Sequence, residues 1–114
     1  MSWTETAQRR AIERVFTGTR QFAMVLRDGT EYADGPRVAG TLSPPEREAG
    51  AWRVANEGNI EFPPFARTED TDVVAIAVYD GTERLATAPT ARVAVVEGIE
   101  LVLRPRTLWV GVRQ

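Results

Sequence analysis

The residues best suited to chemistry in this chain are acidic. Glu69-Asp70-Thr71-Asp72 sets two carboxylates at alternate positions, Asp70 and Asp72, and oxygen ligands of that kind suit calcium. The spacing is not that of a known calcium loop, and a solvated turn leading into a strand accounts for the same residues. Asp28-Gly29, Asp34-Gly35 and Asp80-Gly81 scatter three more carboxylates that acid–base catalysis could use. Asp-Gly is also the pair that tight turns prefer, because both residues tolerate positive φ, so the expectation for all three is a turn. A third set is aromatic: Trp3, Trp52, Trp109 and Tyr32. Aromatic faces stack on sugar rings, so an exposed set would form a carbohydrate platform. The competing reading places each Trp in the core or in a subunit interface. Trp109 is out of phase with Leu108 and Val110 and should point away from their side of the sheet.

Much familiar chemistry lacks its parts. The chain has no Cys, which removes disulfides, thiolate zinc sites and a Cys nucleophile together. It has no His, so a Ser-His-Asp triad or a His acid–base pair cannot be built. All 14 basic residues are Arg, so Schiff-base and P-loop lysines are missing as well. The expectation is a protein that is not an enzyme and binds no cofactor or metal. With a net charge of -2 and no basic cluster, a nucleic-acid partner is not expected. No apolar run nears the roughly 20 residues of a membrane span. The opening Met1-Ser2-Trp3-Thr4-Glu5 lacks the basic and apolar regions of a signal peptide, and folding in a cytoplasm is expected.

The elements follow from periodicity. The 114 residues, 43% hydrophobic and 26% charged, fit one globular domain, 1–114. Ser2 and Glu5 form a capping box, and Trp3, Ala7, Ala11, Ile12, Val15 and Phe16 make an apolar stripe at helical spacing, closed by Gly18. One α-helix is expected over 1–18, with the sheet occupying 19–114. Beyond Gly18 the period becomes two. Phe22, Met24 and Leu26 alternate with Ala23 and Val25 up to Asp28-Gly29. Residues 28–50 read as a long loop with one short strand near Arg37 to Ala39. Trp52 and Val54 alternate, then Ile60 and Phe62, up to Pro63-Pro64. Asp72 to Tyr79 is apolar on both faces and should be central, with Val74, Ile76 and Val78 on one side and Val73, Ala75, Ala77 and Tyr79 on the other. Short strands follow at Leu85, at Val93 and Val95, from Ile99 to Arg104, and from Leu108 to Val112. About eight short strands between Gly and Pro turns predict a mainly β fold, an antiparallel sandwich or barrel-like domain.

The second half also carries a recognisable cadence. Asn56 leads to Ile60-Glu61-Phe62-Pro63, then the run Asp72 to Asp80, then Leu85-Ala86, Pro89, Val93, Val96-Glu97-Gly98-Ile99 and a closing Leu108-Trp109-Val110. Over about residues 20–112 this resembles the small tail-fibre-like and head-decoration structural proteins of tailed bacteriophages. It departs from them at Pro36-Arg37-Val38-Ala39, where they often carry Gly-Tyr-Ala-Arg, at Ala75 and Ile76, near the place of a common His, and at Gly81, which stands for a glycine pair. The resemblance implies a virion structural protein, found in the virion and in the host cytoplasm during assembly. Its expected partners are copies of itself, as a homo-oligomer such as a trimer, and major capsid or tail proteins. The alternative is a carbohydrate-binding or receptor-binding module that takes a host-surface glycan. On either reading the candidate interface or binding residues are Trp3, Ile12, Phe16, Trp52 and Trp109.

Overall fold

The computed structural model describes residues 7, 9, 10, 13, 18–48 and 51–111. Nine strands run through them in chain order: β1 (Thr19–Leu26), β2 (Val38–Thr41), β3 (Glu46–Glu48), β4 (Ala51–Ala55), β5 (Ile60–Glu61), β6 (Asp72–Asp80), β7 (Glu83–Ala94), β8 (Val102–Leu103) and β9 (Trp109–Gly111). All pairing is antiparallel. The strands form three open sheets, ordered β2-β1-β6-β7, β3-β4-β9 and β5-β8. The mainly β expectation therefore holds, and the barrel-like alternative does not, because β2 and β7 end the largest sheet without closing on each other. The helix expected over 1–18 is not among the described elements; most of that span lies outside the described residues, and only Ala7, Arg9, Arg10 and Glu13 within it have helical backbone. Of its stripe only Ala7 is described; Trp3, Ile12 and Phe16 lie outside the described residues.

One core lies where the three sheets meet. Phe22 and Met24 of β1, Ile76 and Val78 of β6, Val54 of β4, Ile60 of β5, Leu103 of β8 and Val110 of β9 all enter it. β6 is central and buried on both faces, as its double apolar pattern predicts. Its second face is nearly all small: Ala75 and Ala77 pack with Ala23 and Val25 of β1 and end at Tyr79. The expected assignment of faces fails at one point. Val73, not Val74, enters the main core, because Val74 is an extra residue between the pairs Val25↔Ala75 and Leu26↔Val73. An extra residue reverses the alternation beyond it.

The turns do what the Asp-Gly pairs promised. Gly29 and Gly81 sit at φ of 88° and 61°, in the left-handed region that glycine enters freely. Asp28 Oδ1 accepts from the Thr30 backbone N–H at 3.0 Å and from Thr30 Oγ1 at 2.6 Å, so its carboxylate builds the turn. Between 28 and 50 the chain is more ordered than a loop: β2 pairs with β1, and β3 with β4. The strands expected separately at Leu85 and Val93 are one strand, β7, running through Pro89. Proline is tolerated there because β7 ends its sheet.

Candidate interaction surface

Of the aromatic residues singled out in the sequence, Trp3 lies outside the described residues, and Tyr32, Trp52 and Trp109 do not converge. Tyr32 is buried in the core, edge-on to Phe65 with ring centroids 5.6 Å apart. Trp52 is half-buried against the core side of β4, with the Arg9 guanidinium 5.3 Å from its ring centroid. Trp109 pairs with Ala55, out of phase with buried Val54 and Val110, so it lies on the outer face of the same sheet. There the Arg53 guanidinium stands 3.7 Å from its centroid and that of Arg106 4.9 Å. Cation–π packing of this kind fixes the indole and covers ring surface that a sugar would need.

Arg106 reaches Trp109 through a strained backbone. Its φ is 61°, the only positive value at a non-glycine among the described residues. Its N–H donates to Asn56 O at 2.9 Å, and its guanidinium bonds Glu46 Oε2 at 2.6 Å. That bond holds the Glu46 carboxyl below the usual glutamate range. Replacing Arg106 by Ala or by Gly removes the same guanidinium, but only Gly relieves the left-handed backbone. Urea unfolding should therefore find R106G more stable than R106A by about 1 kcal/mol.

The acidic segment is occupied by arginine. The Arg27 guanidinium lies 3.6 Å from Asp70 Oδ1 and 3.9 Å from Asp72 Oδ2, and Arg92 lies 3.6 Å from the latter. Among the described residues no group of three or more ligating side chains could hold a metal ion. These long pairs, whose arginines are exposed, stabilise little.

A firmer charged cluster joins the Asp28-Gly29 and Asp80-Gly81 turns. Arg37 bonds both oxygens of Glu31, at 3.0 and 3.2 Å, and donates to Gly81 O at 2.8 Å. The same guanidinium stacks 3.7 Å from the Tyr79 centroid, while Arg84 Nε donates to Tyr79 Oη at 2.9 Å. The bond from Arg37 holds the Glu31 carboxyl below its usual range. A depressed carboxylate lends stability above its unfolded value and loses it as pH falls through the folded one. The stability gap between wild type and Glu31→Gln should thus be open at pH 7 and close below about pH 4, read from urea midpoints at each pH.

The remaining feature is an edge. β5 pairs with β8 as Ile60↔Leu103 and Glu61↔Val102, and Phe62 N–H donates to Leu101 O at 3.0 Å. In an antiparallel ladder bonded and non-bonded pairs alternate. Phe62/Leu101 and Ile60/Leu103 are the bonded pairs, so the Val102 N–H and C=O point away from β5. Leu101 and Leu103 are buried, whereas Glu100, Val102 and Arg104 share the exposed face. Val102 is 40% exposed, and Val96 and Ile99 just before it are 41% and 47% exposed.

A groove of about 770 Å³ separates this edge from β7, lined by Pro89 to Ala91 and Val93 on one side and by 100–104 on the other. The β7 wall is bulged: between Val73↔Val93 and Ala75↔Pro89, three residues of β7 stand opposite Val74 alone. The β8 end of the groove is fixed by Asn56, which is fully buried. Its Nδ2 donates to Gly58 O at 2.9 Å and to Arg104 O at 2.7 Å. Its Oδ1 accepts from Leu108 N at 2.9 Å and from Thr107 N at 3.2 Å. Neither the groove nor this clamp was among the sequence-based site residues. The only signal for the edge was the alternation of Glu100, Val102 and Arg104 with Leu101 and Leu103. No family model, curated protein or solved structure matches the chain.

Proposed function

We propose that this chain is a structural subunit that works by assembly, in the manner of a virion protein such as a capsid decoration, head fibre or tail-fibre-like subunit. The observation that carries the reading is the outward edge of β8, whose Val102 backbone has no ladder partner among the described residues, beside exposed Val96 and Ile99. Isolated exposed apolar residues are ordinary on a surface; three within seven positions, on a turn and the short strand that follows it, suit protein contact. The cadence of strands and turns from about residue 20 to 112 supports the same reading by resemblance. Its partners are then copies of itself and major capsid or tail proteins. On this reading the protein would belong to the virion and, during assembly, to the host cytoplasm, and would act without catalysis.

The carbohydrate-binding alternative is less well supported, because guanidinium groups pack against the rings of Trp52 and Trp109. Sedimentation velocity of the full chain from low to high micromolar concentration tests the assembly reading. A mass that rises to a closed oligomer supports it. A monomer at every concentration, together with glycan binding lost in Trp109→Ala, would transfer the function to the alternative.

A further inference from the structure

We infer that the β8 edge is a homotypic docking strand that pairs antiparallel with β8 of a second copy, centred on Val102. This rests on the assembly reading above and names the surface and the partner. The segment Glu100-Leu101-Val102-Leu103-Arg104 is complementary to itself under a two-fold axis. With Val102 opposite Val102 of the second copy, each Glu100 falls directly opposite an Arg104, and the two Leu remain on the face already buried in their own subunit. Directly opposed charges of unlike sign stabilise an antiparallel pair, and like charges oppose it.

Other registers fail. A parallel pair in register would set Glu100 against Glu100 and Arg104 against Arg104. A slip of one residue would turn the exposed face against the buried one. Backbone geometry agrees at the centre, since Val102 turns both its N–H and its C=O outward, as a bonded antiparallel pair requires; the Arg104 C=O already accepts from Asn56 Nδ2 and Thr107 Oγ1, so the shared ladder is confined to the Val102 pair and Glu100 and Arg104 meet through their side chains. Neither Glu100 nor Arg104 makes an ion pair among the described residues, so both charges are free to meet a partner. The groove lies along this edge, and a paired strand would stand in it about 4.8 Å from β8. An isologous contact of this kind closes at two subunits. Larger assemblies would need a further surface.

Sedimentation velocity of the full chain and three variants tests the inference, with far-UV circular dichroism showing that each variant keeps the wild-type sheet. Wild type should form a dimer at high concentration. E100R and R104E each place like charges opposite one another twice, once on each side of the axis. Each should weaken dimerisation about tenfold or more. The double variant E100R/R104E restores both unlike pairs in the reversed sense and should return to within about threefold of wild type. A double variant as weak as the singles overturns the inference. So do single variants that dimerise like wild type, and in that case self-assembly stands but through another surface. A wild type that stays monomeric throughout overturns both the inference and the assembly reading.

Discussion

Asn56→Asp should cost the fold roughly 3–5 kcal/mol at neutral pH, a large part of the stability of a domain this small. The two side chains have nearly the same shape, so the loss is one of hydrogen-bond polarity. In the native protein every polar position of the amide is used: two N–H bonds go to the carbonyls of Gly58 and Arg104, and the oxygen accepts from Thr107 and Leu108. A carboxylate keeps the second pair of bonds and loses the first. It also brings negative charge against two carbonyl oxygens at a site with no exposure. Protonation would return one donor. The new carboxyl should therefore titrate above the usual aspartate range in the folded state, and the deficit should shrink as pH falls toward 4. Urea unfolding at pH 7 and pH 4 checks both statements. A deficit under 1 kcal/mol at pH 7 would mean that the clamp is not holding the β8 end.

Phe22→Ala should cost about 3–5 kcal/mol, the usual range for emptying a buried aromatic site. Phe22 has no exposed surface, and it lies on β1, which pairs with both β2 and β6. Its ring packs close to Gly40 of β2: a Cβ at that position would lie 2.9 Å from Phe22 Cε2 and 3.3 Å from Cδ2. Gly40→Ala should thus destabilise wild type by about 1–3 kcal/mol through overpacking. In the Phe22→Ala background the same substitution should cost far less, because the ring is gone. Equilibrium unfolding of the four proteins gives the coupling. Additive effects would show that the ring does not rest on that glycine.

How far the structure could be read from the sequence depended on whether a pattern was local. The β1 and β6 strands were legible because their apolar residues alternate or run unbroken, and the Asp-Gly turns because glycine's φ is a local requirement. The outward position of Trp109 followed from phase alone. The bulge at Val74 was not legible, since any residue of an apolar run can be the extra one and the partner strands decide which. Pro89 suggested a strand end, yet β7 passes through it, because an edge strand can lack one donor. Asn56 stood in the sequence only as the residue leading to Ile60-Glu61-Phe62-Pro63. Its importance comes from backbone groups about fifty residues away, which no spacing reveals. The aromatic set was legible as residues and not as a site, because the two faces of one sheet separate Trp52 from Trp109 and arginines engage each ring.

The claim that the chain works through its β8 edge can be read at a single amide. Val102 N–H has no ladder partner on the β5 side, so in the isolated subunit it should exchange with solvent quickly. Hydrogen exchange of that amide, followed by NMR at low and high protein concentration, measures whether the edge becomes paired. The expected result is fast exchange in dilute solution and strong protection at high concentration, rising in step with the dimer fraction. Fast exchange at a concentration where the protein is fully assembled would contradict the account.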